Sequence, residues 1–182
     1  PIISTAAMML NEDGLIYLKK NLNKYIPEFN NMTVSTTYID KKGQKQERVV
    51  EAKNKIKIHN LLNHTSGLTY GTFGNSFAKK RLKSSEISKL NLEDISLKQY
   101  VKELAKFPLA YNPNTVWEYG RSIEVLGRVI ELASNKTLDV YLKDKIFKPL
   151  DMIDTAFYVN ESKWHRIAEP FKDKQPKLIN IR

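Results

Sequence analysis

An apolar stripe set directly behind a proline turn, between Asn112 and Ser134, constrains this chain more than any other stretch. Asn112-Pro113-Asn114 reads as a tight turn: Pro113 pre-sets φ at the first central position, and Asn114 tolerates the left-handed conformation at the second. Ile123, Leu126, Gly127, Ile130 and Ala133 then recur at spacings of three and four, which lays one apolar stripe along a helix starting near Gly120. Such a stripe needs other elements to cover it, so the rest of the chain is expected to pack around it. Tyr119 falls at the loop-to-helix junction, where a phenol can face a cleft beside the unpaired backbone N–H groups of a first helical turn. Taken alone, a Tyr two residues from a Trp is more often a packed aromatic with a satisfied hydroxyl.

Most of the remaining pattern is helical. Ile2, Ile3, Ala6, Ala7, Met9 and Leu10 share one face of a helix that Gly14 is expected to end as a left-handed cap. Pro1 fits only a first helical turn, where its missing N–H costs nothing, so that helix is expected to start just ahead of the first residue. Residues 15–25 are Lys-rich and amphipathic, which predicts a second, surface piece ending at Ile26-Pro27. Over residues 32–50 the period changes: MTVSTTYI alternates and is β-branched, a polar turn centres on Gly43, and QERVVEA resumes, predicting an exposed hairpin. Ile56, Ile58, Leu61 and Leu62 begin a short helix that runs into His64-Thr65-Ser66-Gly67-Leu68, where Gly67 lets the chain reverse.

Residues 70–89 are polar, a candidate wall or lid built from loop and weak helix. Ser96 caps a helix over residues 97–107, with Tyr100, Val101, Leu104 and Ala105 inward; Thr137 caps another over residues 138–147, which Pro149-Leu150 stops. Residues 155–159 read as a strand, and residues 160–182 are charged and weakly patterned. The fold class these patterns support is α+β and helix-rich, in a single domain.

Composition removes several function classes. Thirty Lys and Arg against 20 Asp and Glu leave a net charge of +10, which would draw nucleic acid or anionic membranes non-specifically. The basic residues, such as Lys19-Lys20, Lys41-Lys42 and Lys79-Lys80-Arg81, are scattered among acids with no continuous basic helix face, so no nucleic-acid partner is expected. The absence of Cys excludes disulfides, thiolate zinc sites and cysteine nucleophiles, and leaves the compartment open. No apolar run approaches the roughly 18 residues that span a bilayer. His59 and His64 are five apart, the wrong spacing for two ligands on one helix face, so no metal or other cofactor is expected. Neither a G-x-S-x-G elbow, a Walker loop nor a G-x-G-x-x-G fingerprint occurs.

Four stretches add a resemblance: PIISTAAMMLNEDG, IKIHNLLNHTSGLTYG, PLAYNPNTVWEYG with EVLGRVIELAS, and IFKPLDMIDTAFYV. In this order and at these separations they resemble the serine β-lactamase and penicillin-binding-protein superfamily, in its class C branch with the related carboxylesterases. Together they cover most of residues 1–170. The resemblance implies a partial domain over residues 1–182, the central segment of the β-lactamase/transpeptidase-like fold, comprising mainly its helical region plus a small hairpin. It puts the S-x-x-K turn that carries the nucleophilic Ser and its Lys directly before Pro1, and the K-T-G or H-x-G strand after Arg182. The segment alone is therefore expected to be inactive.

Tyr119 matches the active-site Tyr of that family. A Ser hydroxyl is a poor nucleophile until a base takes its proton, and a phenol of pKa about 10 serves if an ammonium stabilises its phenolate. The implied reaction is attack of Ser on an ester or amide carbonyl of a small-molecule substrate. Tyr and Lys shuttle the proton, and backbone N–H groups hold the oxyanion until water or an alcohol releases the acyl group. Penicillin-recognising members usually carry Asn two residues after the Tyr, where Arg121 stands here. That turns the expectation toward a carboxylesterase over a class C β-lactamase or a D-alanyl-D-alanine carboxypeptidase. A catalytically dead binding or sensor homologue is the alternative from another class. Tyr70, Trp117 and Arg121 are candidate pocket residues, with packing or a surface charge as the rival roles. His64 and Ser66 are expected to brace a sharp turn rather than act as base and nucleophile, and Asp151, where the family favours Gly, reads as local variation in a turn.

Overall fold

The apolar stripe behind Tyr119 becomes helix α5, Ser122–Ser134, on which Val125, Leu126, Val129 and Ile130 have no exposed surface. The structure is a computed structural model and describes residues 1–70, 77–85 and 95–168. Within them the element order is α1 (Ile2–Glu12), β1 (Thr33–Ile39), β2 (Lys45–Glu51), α2 (Ile58–Leu62), α3 (Phe77–Lys83), α4 (Leu97–Leu104), α5 and α6 (Leu138–Leu142). Single 3-10 turns lie at Leu22–Lys24 and Pro27–Phe29, and a longer 3-10 segment at Glu161–Arg166. Helices α1, α2, α4 and α6 all pack on α5, which is the centre of the core. Gly127 lets α4 and α6 approach α5 closely: a Cβ there would lie 2.9 Å from a Leu138 methyl and 3.2 Å from one of Leu97.

Glycine and asparagine punctuate the elements as their backbone freedom predicts. Gly14 (φ 71) ends α1 and lets the Leu15 N–H return to the Leu10 carbonyl at 2.9 Å, while Asn135 (φ 55) closes α5 in the left-handed region. Asn114 takes φ 67 in the proline turn, and Asp151 takes φ 53, the conformation that makes Gly the easier residue there. The hairpin forms as expected, with Val34 opposite Val50 and Gly43 (φ 76) in the turn. Its first strand is docked: the Ser35 N–H donates to the Leu109 carbonyl at 2.9 Å, the Leu109 N–H donates to Thr33 at 2.8 Å, and Val34 is buried.

Several expectations are corrected. Residues 15–25 are not merely a surface piece, because Ile16 and Leu22 are fully buried in the core. Residues 155–159 are a loop with bends at 156–158 and not a strand; among the described residues no strand pairs with them, and Phe157 and Tyr158 are exposed at 60% and 79%. Helix α4 stops at Leu104, three residues earlier than expected. The predicted 138–147 helix is α up to Leu142 and then a π turn over Lys143–Phe147. Thr137 occupies the N-cap without a side-chain bond, and the Leu138 N–H is served instead by Glu131 of α5 at 3.2 Å. Ser96 caps α4 as predicted, accepting from the Gln99 N–H at 3.2 Å. Of the expected 70–89 wall, only Tyr70, α3 and residues 84–85 fall within the described residues. The fold is α+β and helix-rich with one small hairpin, and among the described residues no helix is long and apolar enough to cross a membrane.

Candidate active site

Two segments far apart in sequence interlock at the start of α5. After α2 the chain turns through His64 (φ 55) and Gly67 (φ 80). The His64 carbonyl accepts from the Glu118 N–H, the Thr65 carbonyl from the Asn114 N–H, and the Gly67 carbonyl from the Ala110 N–H, each at 2.8 Å. Gly67 and Gly120 allow this fit: a Cβ on Gly67 would collide with the Tyr111 carbonyl, and one on Gly120 would collide with the Leu68 carbonyl. Under the junction, the fully buried Ser66 and Ser122 hydroxyls bond each other at 2.8 Å, and Ser66 Oγ accepts from the Leu68 N–H at 3.2 Å. Ser66 therefore braces a turn, as expected, and is walled off from any substrate.

The interlock presents four rings together. Tyr119 is 56% exposed, with the His64 ring 5.0 Å, the Tyr70 ring 5.5 Å and the Trp117 ring 6.4 Å from its own, centroid to centroid. Trp117 is 64% exposed. Among the described residues the Tyr119 hydroxyl makes no hydrogen bond. Arg121 lies between two further phenols, its guanidinium carbon 4.4 Å from the Tyr70 ring centre and 5.6 Å from that of Tyr100. Its Nη1 pairs with Glu124 Oε1 at 3.3 Å, and the same carboxylate oxygen accepts from the Tyr70 hydroxyl at 3.1 Å. Arg121 is therefore not a loose surface charge: it is ion-paired and lies over two rings, while among the described residues its buried Nε has no hydrogen-bond partner.

Burial sets the protonation of this cluster. Desolvation, with the Glu124 carboxylate next, pushes the Tyr70 phenol far above its usual range, so it remains a donor. Desolvation also pushes Tyr100 up to about 12, against the opposing pull of Arg121. The His64 imidazole is held below its usual value by desolvation, with Glu124 opposing, and among the described residues its buried Nδ1 has no partner. An apolar groove of about 490 Å³ adjoins the cluster, lined by Ile3, Ile95, Tyr100, Ile123, Glu124 and Phe157. It reaches the first turn of α1.

A family model described as Beta-lactamase matches residues 1–180. The chain belongs to the beta-lactamase family. Within that family it is 31% identical over 157 residues to the lovastatin esterase of Penicillium rubens, covering 86% of this chain and 37% of that protein. It is 29% identical over 184 residues to esterase EstB of Burkholderia gladioli, covering 100% of this chain and 42% of that protein. The solved structure of EstCE1, a hydrolase with promiscuous acyltransferase activity, superposes with a TM-score of 0.73 at 26% identity, covering 100% of this chain and 43% of its own. The chain thus spans about two fifths of the length of the curated relatives it matches.

In this beta-lactamase-family chain, the four sequence-predicted residues Tyr70, Trp117, Tyr119 and Arg121 do come together at one place. Sequence reading missed Glu124, Glu118 and Lys79. Glu124 joins Tyr70 to Arg121, and Glu118 pairs with Lys79 of α3 at 2.8 Å. Glu124 lies three residues after Arg121 on a helix and could have been found from that spacing. The Glu118–Lys79 pair joins separate elements and leaves no local signal. An S-x-x-K string does occur inside the chain, at Ser76-Phe77-Ala78-Lys79, but the ammonium of its Lys79 is held by Glu118, and Ser76 lies outside the described residues.

Proposed function

We propose that this chain is the central part of a serine hydrolase of carboxylesterase type, acting through an acyl-enzyme on small-molecule esters, in which Tyr119 moves the proton of the nucleophilic Ser. One observation carries the reading: the Tyr119 phenol is half exposed, its hydroxyl unengaged among the described residues, on a backbone hydrogen-bonded at Glu118 and closely packed at Gly120 against Leu68. A phenol so placed is available to a substrate and costs little reorganisation at the moment of reaction. Trp117 and Tyr70 form the walls beside it.

The groove at Ile3, Ile123 and Phe157 is the acyl pocket in this reading, because it runs to the first turn of α1, where the Ser and Lys are expected just ahead of Pro1. Arg121 supports the esterase branch over β-lactamase or D-alanyl peptidase. It is held by Glu124 and two rings, and offers no carbonyl oxygen of the kind an Asn there would give to a substrate amide. The relatives named as esterases point the same way.

Kinetics on the longer protein that contains this chain test the proposal. With p-nitrophenyl butyrate as substrate, Tyr119→Phe lowers kcat by about 10²- to 10⁴-fold, and nitrocefin is turned over poorly or not at all. Unchanged kcat in that variant removes Tyr119 from the chemistry; fast nitrocefin turnover moves the protein to the β-lactamase branch. The 182-residue chain alone turns over neither substrate. Ester turnover by it that Ser76→Ala abolishes would relocate the nucleophile to Ser76.

A further inference from the structure

We propose that Glu118 is the positioning residue for Tyr119, and that Lys79 of α3 fixes it from outside the loop. The inference rests on Tyr119 being the proton-moving residue, and adds to it how that residue is aimed. Glu118 immediately precedes Tyr119 and is held at three points. Its backbone N–H donates to the His64 carbonyl at 2.8 Å. Its Oε1 accepts from the Thr69 hydroxyl at 2.7 Å, a bond that hydroxyl shares with the Tyr70 carbonyl at 3.0 Å. The same Oε1 pairs with Lys79 Nζ at 2.8 Å, and the two side chains are only 13% and 14% exposed.

The contacts converge on the rings around Tyr119. His64, which holds the Glu118 backbone, has its ring 5.0 Å from that of Tyr119; Tyr70, adjacent to Thr69, has its ring 5.5 Å from it. Two neighbours of the phenol and the residue before it are therefore one bonded unit. A largely buried ion pair is a poor device for stability, since its desolvation cost offsets most of its attraction, but parting its members leaves a buried charge uncompensated, so Glu118 is restrained where Lys79 meets it. Beside a residue whose useful position is fixed to within about 1 Å, that restraint is the gain. Helix α3 also packs on β1, so Lys79 reaches Glu118 from a seated element.

The test uses Lys79→Met, which keeps the stem and removes the charge, and Glu118→Gln, which keeps an acceptor for Thr69. Glu118→Ala removes both bonds. In the longer protein, kcat for p-nitrophenyl butyrate falls about 10- to 100-fold in Lys79→Met and further in Glu118→Ala, with KM little changed. Glu118→Gln lies between wild type and Glu118→Ala, and the swapped pair Glu118→Lys with Lys79→Glu recovers part of the loss. In the 182-residue chain, the NMR cross-relaxation between the His64 and Tyr119 rings weakens in Lys79→Met and is lost in Glu118→Ala. Unchanged kcat in Lys79→Met and Glu118→Ala, with Tyr119→Phe inactive, overturns the positioning role. If Tyr119→Phe keeps full activity, the catalytic reading fails, and the ring signal still decides the clamp: its loss in Lys79→Met upholds it, its persistence overturns it.

Discussion

At the residue scale, the site is governed by which groups are kept neutral. The His64 imidazole is desolvated against Tyr119 and Trp117, and its charged form is disfavoured. Below pH 6.5 the unfolded chain then binds a proton that the folded chain resists, so stability is lost as pH falls from 6.5 toward the lowered value. Replacing His64 with Asn, which tolerates φ 55, flattens the dependence of thermal midpoint on pH in that window. Tyr100 gives the opposite limb. Its phenol is raised to about 12 chiefly by desolvation, so its contribution is complete below pH 10 and is lost as pH rises toward 12. Urea titrations of Tyr100→Phe are expected to show a shallower decline than wild type over that range.

At the element scale, small residues set how closely the pieces approach. The Ser66–Ser122 pair is fully buried, and Ser66→Ala strands the Ser122 hydroxyl, costing about 1–3 kcal/mol in a urea melt. The double variant costs less than the sum of the two single ones. Gly127→Ala gains about 1 kcal/mol of helix propensity but pushes a methyl onto Leu138 and Leu97, with a packing cost of about 1–3 kcal/mol, so a modest net loss is expected. These elements were largely legible in the sequence where backbone conformation decides them: Gly14, Gly43, Gly67 and Asn114 all take positive φ where a turn or cap was read. The reading of residues 155–159 failed because β-branched and aromatic content records only suitability for a sheet, and among the described residues no strand pairs with them. The burial of Ile16 and Leu22 was hidden for the same kind of reason, since a short Lys-rich segment shows its charges and not what lies over it.

At the scale of the whole molecule, one helix bears the load. With α1, α2, α4 and α6 all resting on α5, truncating its unexposed Ile130 to Ala is expected to cost about 2–5 kcal/mol, read as a lower urea midpoint with an unchanged slope. The family was readable from motif order, and the gathering of Tyr70, Trp117, Tyr119 and Arg121 could be expected from the motifs that carry them. The ties that hold the gathering were not. Ser66 meets Ser122 across 56 positions, Tyr70 meets Glu124 across 54, and Thr69 meets Glu118 across 49. Each tie closes a long loop whose entropy must be spent before any local reward arrives. The setting of Tyr119 therefore rests on contacts between distant parts of the chain, and local opening that breaks these ties is expected to release it. Amide exchange at Glu118, whose N–H is capped by His64, would be the clock of that event, separating molecules that are folded from molecules that are ready.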